Sequence, residues 1–79
     1  MRLDKYLKVS RLIKRRSVAN DACDSDRVMV NGKVARASLA VKPGDIIEIA
    51  FGNRTLRVEV TVVSENAKKE DAPAMYREL

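Results

Sequence analysis

Histidine is absent from this chain, and cysteine occurs once, at Cys23. These two shortages remove the usual zinc ligand sets, imidazole acid–base chemistry and any internal disulfide. Aromatic residues number only Tyr6, Phe51 and Tyr76, too few for a platform on which successive bases stack. The glycines Gly32, Gly44 and Gly52 stand singly, so there is no glycine-rich loop to cradle a phosphate. No apolar run approaches a membrane span, and Arg2, Asp4, Lys5 and Lys8 interrupt the apolar stretch a signal peptide would need. Cytoplasmic residence without a membrane partner is the expectation. A single domain of 79 residues also has little space for a substrate pocket. Catalysis is therefore not expected, and neither a metal nor a cofactor is implied.

What the chain does have is charge, unevenly placed. Apolar residues make up 46% and charged residues 34%, a balance that folds as a globular domain and not as a disordered tail. The net charge is +5. Residues 1–16 hold seven bases, Arg2, Lys5, Lys8, Arg11, Lys14, Arg15 and Arg16, against Asp4 alone. The rest of the chain holds nine bases and ten acids, so all of the excess lies in that first stretch. Uniform basicity would serve solubility; a segregated patch implies a polyanionic partner. Arginine prevails from Arg11 to Arg16, and its guanidinium matches phosphate as a two-pronged donor. With few aromatics, structured RNA read through its shape and phosphates fits better than a stacked single strand.

Hydrophobic periodicity places these bases. Leu3, Tyr6 and Leu7 recur at helical spacing, which predicts a helix from about Arg2 to Val9 with Lys5 and Lys8 turned to solvent. Asp4 precedes Lys8 by four residues, the favourable order for a helix ion pair. Ser10 to Arg16 is expected as a connecting turn anchored by Leu12 and Ile13. Ser17 is the predicted N-cap of a second helix over Val18–Asp24, with Asp21 near its positive end and Arg15 and Arg16 just before it. Within that helix Val18, Ala19, Ala22 and Cys23 share apolar spacing, so Cys23 is expected to be a buried, inert thiol.

From Val28 the period becomes two. Val28 and Val30 lead into Asn31-Gly32, a strong hairpin signal because both turn positions need positive φ. Lys33 to Arg36 is the expected return strand, and Pro43-Gly44 suits a type II turn. Ile47, Ile49 and Phe51 share one face of the next strand, and Leu56, Val58, Val60 and Val62 one face of another, joined through Gly52-Asn53 as a type II′ hairpin. Asn66 is a candidate cap for a short helix over Ala67–Ala72, with Met75 and Tyr76 packing beyond Pro73. The expected fold is α+β: two N-terminal helices on a small antiparallel sheet of about four strands, then a short C-terminal helix.

Several local strings then match a known pattern in order: Arg2-Leu3-Asp4-Lys5-Tyr6-Leu7, Ser10-Arg11-Leu12, Arg16-Ser17-x-Ala19, Val28-x-Val30-Asn31-Gly32-Lys33 and Val41-x-x-Gly44-Asp45. Across residues 2–50 the chain resembles the S4-type RNA-binding domain, with its αL arrangement of helices. The stretch over 51–79 is similar to the C-terminal extension of stand-alone members. Those are the small ribosome-associated heat-shock protein and the ribosome quality-control proteins of the RqcP type, the second being the nearer resemblance.

This resemblance implies binding to 23S ribosomal RNA and peptidyl-tRNA on large subunits left by splitting of stalled ribosomes. It also implies support of alanine tailing of the nascent chain by a protein factor. The chain itself is expected to be a monomer. Its RNA-binding residues would be Arg2, Ser10, Arg11, Arg15 and Arg16, with Lys5, Lys8 and Lys14 adding field and Lys33 and Ser38 extending the surface. The family usually carries glycine where this chain has Asp26, a position expected to need a left-handed backbone. Two other functions fit the residues: an RNA-targeting subunit for a modifying enzyme supplied in trans, and a protein-interaction module using a sheet edge. Only contacts made through RNA phosphates weaken steeply with salt.

Overall fold

Two short helices lie against one face of a five-stranded antiparallel sheet in this computed structural model, which describes residues 1–65 and 68–79. Helix α1 spans Leu3–Val9 and α2 spans Arg16–Asp24; β1 spans Val28–Val30, β2 Lys33–Val34, β3 Ile46–Phe51 and β4 Arg54–Val60. A 3-10 helix over Lys69–Met75 leads into β5, Tyr76–Glu78. The spatial order is β2-β1-β3-β4-β5.

The sheet register explains the core. Val30 faces Ile47, which faces Val58, and Val28 faces Ile49, which faces Leu56. Because alternate residues share a face, these pairings stack the apolar set in rows under the helices, where Val28, Ile47 and Val58 are fully buried. The helices supply Leu3, Tyr6, Leu7, Ala19, Ala22 and Cys23 to the same core. Burying each large aliphatic side chain contributes about 1.5–3 kcal/mol. Tyr6 satisfies its hydroxyl by donating to the Met75 carbonyl at 2.7 Å, tying α1 to the C-terminal segment.

The turns take the geometry their residues call for. Asn31 and Gly32 have φ of +54° and +82°, as the primed hairpin turn demands. Gly44 has φ +95°, and the Asp45 amide donates to the Lys42 carbonyl at 3.1 Å, closing the Pro43-Gly44 turn. Asn31 also bridges these two turns, its side-chain amide donating to Asp45 at 3.1 Å while its oxygen accepts from the Ile46 amide.

Several local expectations are corrected. Helix α2 begins earlier than Ser17 would set it: Arg15 occupies the N-cap position without a side-chain cap, and the Ala19 amide already donates to the Arg15 carbonyl at 3.0 Å. Arg16 is thus inside the first turn, and Asp21 is mid-helix, with no acid at the positive end. Val18, expected inward, is 49% exposed, as is much of Phe51 and Val62 at the sheet ends. The return strand stops at Val34, and Tyr76–Glu78 adds a fifth strand by pairing with Val58, Glu59 and Val60. The expected cap at Asn66 and helix start at Ala67 lie outside the described residues; beyond them the helical turn runs to Met75, which is buried.

Candidate nucleic-acid interface

The basic stretch folds around one acid. Asp4, in the first turn of α1, is only 2% exposed. Its Oδ1 accepts the Lys5 amide at 2.8 Å and Arg2 Nε at 3.2 Å, and its Oδ2 accepts Arg2 Nη2 at 3.3 Å. From α2, Arg16 Nη2 donates to Oδ1 at 3.4 Å, with Nε 3.3 Å from Oδ2, and Asn20 donates to Oδ2 at 3.4 Å. The expected Asp4–Lys8 pair is replaced by this node, because packing α2 beside α1 delivers better donors than the next turn of the same helix. Burial alone would raise the Asp4 pKa, but the hydrogen bonds from Arg16, Arg2, Asn20 and the Lys5 amide outweigh it and hold the carboxyl below its ordinary value.

Arg2 and Arg16 are nonetheless half exposed, at 51% and 48% of their side chains. Beside them a depression is lined by Arg2, Asn20, Arg36 and Ser38, and also by two acids, Asp24 and Asp26. The 35–41 segment is brought there by backbone bonding: the Leu3 amide donates to the Leu39 carbonyl at 2.8 Å and the Asp4 amide to the Ala37 carbonyl at 3.1 Å. Lys33, Arg36, Ser38 and Lys42 line a second depression that shares Arg36 and Ser38 with the first. At the other end of α1, Lys8, Arg11 and Lys14 surround a third. Arg11 stands there with φ +64°, an uncommon conformation for a residue with a Cβ.

The anticipated residues therefore divide. Arg2 and Arg16 meet on one carboxylate; Lys8, Arg11 and Lys14 form a separate group at the other end of α1; Arg15 is exposed at the start of α2; Lys33 and Ser38 join through the shared groove. Lys5 is drawn aside, its Nζ lying 3.5 Å from Glu65. Ser10 does not belong to the surface: it is 1% exposed and donates to the Leu7 carbonyl at 3.3 Å, closing the end of α1. Asn20 and Arg36 were missed by sequence reasoning. No periodicity marks them, since both reach the site only through the packing of α2 and the 35–41 segment on α1. Tyr6 is wholly buried, which leaves no ring face for a base.

Elsewhere the chemistry is quiet. Cys23 is buried, and burial with the nearby Asp4 and Asp24 carboxylates pushes its thiol up to about 11, against nucleophilic use. Among the described residues no three acids or thiols converge as metal ligands would, and no helix is long and apolar enough to cross a membrane.

The S4 domain family model matches residues 1–47. The chain is 53% identical over 76 residues to the RQC P-site tRNA stabilizing factor of Halalkalibacterium halodurans, covering 96% of this chain and 86% of that one. It is 54% identical, with the same coverage, to the factor of that name from Streptococcus pneumoniae. Among solved structures, heat shock protein 15 of Vibrio cholerae superposes with a TM-score of 0.92 at 30% identity, over 100% of this chain and 81% of that one.

Proposed function

The chain belongs to the S4-domain family, and from that premise we propose that it is a non-catalytic RNA-binding factor of ribosome quality control. In this proposal it binds 23S ribosomal RNA and the peptidyl-tRNA on large subunits left by ribosome splitting. It holds that tRNA in place in the cytoplasm while a separate protein factor extends the nascent chain with alanine, and it acts as a monomer. The observation that carries the reading is the pair of half-exposed arginines, Arg2 and Arg16, on the Asp4 carboxylate. They occupy the stretch matched by the family model, in a chain about half identical to the P-site tRNA stabilizing factors over nearly its whole length.

Each guanidinium has five N–H donors. Arg2 donates to Asp4 through Nε and Nη2, and Arg16 through Nη2 with its Nε 3.3 Å from Oδ2, which leaves Nη1 and the outer Nη2 hydrogen of each free to donate to phosphate oxygens. Lys8, Arg11, Lys14 and Arg15 extend the positive field along the same stretch of chain, attracting the RNA backbone and orienting its approach. Nothing in this requires bond making. The protein works by fixing two RNAs relative to each other.

Arg2→Ala and Arg16→Ala test the assignment. Each is expected to abolish co-sedimentation with large subunits carrying peptidyl-tRNA while leaving the circular dichroism spectrum unchanged. Normal co-sedimentation of both variants would show that the site is elsewhere.

A further inference from the structure

We propose that Asp4 is a positioning residue of the RNA-binding surface: its buried carboxylate presets the Arg2 and Arg16 guanidiniums as one pair of phosphate donors. The consequence runs against simple charge counting, because deleting this acid makes the basic face more positive and yet weakens its hold on its RNA target. This inference rests on the RNA-binding role proposed above and specifies how that surface is built.

Three observations support it. First, the carboxylate sits at the junction of three parts of the fold. It belongs to α1, takes donors from Arg16 and Asn20 of α2, and follows the Leu3 amide that is bonded to the 35–41 segment. Its position is fixed by packing, so whatever it holds is fixed too. Second, both of its oxygens are shared between the two arginines, with all four nitrogen–oxygen separations between 3.2 and 3.4 Å. Two arginines 14 positions apart in sequence are thereby brought to one point. Third, the acid is buried while the arginines are half exposed. The negative charge thus faces inward and the spare guanidinium donors remain available outward.

The physical advantage lies in rotamer order. An unrestrained arginine on a surface samples many conformers and loses that freedom when it binds phosphate, about 0.5–1.5 kcal/mol for each side chain immobilised. Holding two of them beforehand removes this loss from the binding step and also fixes the spacing of the donors. Repulsion between the two cations, which would otherwise drive them apart, is offset by the shared carboxylate between them.

Asp4→Asn separates charge from geometry. It keeps the size of the side chain, removes its ability to hold two cations, and adds one positive charge to the face. The expected result is about tenfold weaker binding to large subunits carrying peptidyl-tRNA, together with unchanged or tighter binding to polyuridine, where only the field matters. Asp4→Glu, which restores the charge on a longer stem, should also bind subunits more weakly, without any gain on polyuridine. Tighter subunit binding by Asp4→Asn, or unaltered binding by both variants, would overturn the inference. Failure of the wild-type protein to bind subunits would instead sink the functional proposal itself. Should both variants fail to fold, the wild-type protein still decides by nuclear magnetic resonance. The Nε–H protons of Arg2 and Arg16 should exchange with solvent more slowly than that of Arg15, and equal rates would reject the preset pair.

Discussion

At the C-terminal edge of the sheet, Arg77 of β5 meets Glu59 of β4 at 2.6 Å, one base for one acid on the exposed surface. In the helical layer, two arginines and the Asn20 amide converge on a single buried acid, and the bases Lys8, Arg11, Lys14 and Arg15, between the far end of α1 and the start of α2, stand without one in their own stretch of sequence. The Arg77–Glu59 pair neutralises itself locally; residues 1–27 hold eight bases against Asp4, Asp21, Asp24 and Asp26, which leaves positive charge in excess there. Exposed single pairs of the first kind are worth about 0–1 kcal/mol and adjust the surface. The second kind organises donors around a fixed centre and leaves them something to bind. On the function proposed above, the contrast is a division of labour within 79 residues, with the apolar rows of the sheet and the inner side of the helices supplying stability and the charged outer side of the helices supplying recognition.

The largest way to break this division is to damage the sheet. Ile47→Ala removes a fully buried side chain from the middle row and should cost about 2–5 kcal/mol of stability in chemical denaturation. Under conditions where the variant stays folded, its affinity for large subunits should match that of the wild type. A large loss of affinity in the folded variant would mean that sheet and helical face are not separable.

Acid and alkali should act on two different buried groups of the helical layer, Asp4 of α1 and Cys23 of α2. Asp4 titrates below the ordinary carboxylate value when folded, so its contribution to stability is complete above about pH 4 and disappears as pH falls through the lower folded value. Melting temperatures measured downward from pH 5 should drop more steeply for the wild type than for Asp4→Asn. Cys23 titrates upward, to about 11, so its contribution is complete below about pH 8.5 and is lost as pH rises through the folded value. Cys23→Ala should flatten part of that alkaline decline and leave the acid side untouched.

The smallest effects come from two left-handed residues. Arg11 and Asp26 have φ of +64° and +59°, and glycine takes such angles without steric cost. At Asp26 the chain closes α2 with the Asp26 amide donating to the Cys23 carbonyl and the Arg27 amide to the Ala22 carbonyl, at 3.1 and 3.0 Å, the Schellman arrangement. Asp26→Gly should therefore raise stability by about 0.5–1 kcal/mol and, because it removes an acid from the depression shared with Arg2 and Arg36, leave RNA binding no weaker. Arg11→Gly should relieve the backbone similarly yet weaken subunit binding, because the same position lies in the basic group. Thermal melts and binding isotherms on the two variants check the pair, and a loss of binding in both would trace the effect to the backbone change and not to the Arg11 charge.

These positions also show what one-dimensional reasoning captures. The turns at Asn31-Gly32, Pro43-Gly44 and Gly52-Asn53 were legible because each demands a backbone conformation that few residues adopt. The apolar stripe of Leu3, Tyr6 and Leu7 and the alternation through Ile47 and Ile49 were legible because burial follows period. The Asp4 node was not legible, since spacing along one helix points to Lys8, whereas the true partner Arg16 is twelve residues away and arrives only when α2 packs. The start of α2 was misplaced because Ser17 looks like a cap but its position is set by tertiary contacts around Arg16 and Ala19. Strand β5 carries no alternating pattern in Tyr76-Arg77-Glu78; it exists because β4 offers an edge. Ser10 fell within a matching motif, yet its hydroxyl faces inward.

The most direct measurement is the salt dependence of wild-type binding to large ribosomal subunits carrying peptidyl-tRNA. If the helical face grips the RNA backbone through about four to six phosphates, the logarithm of the affinity should fall against the logarithm of salt concentration with a slope of about −3 to −5. An affinity that barely responds to salt would contradict an RNA-backbone contact and point instead to recognition through the sheet edge.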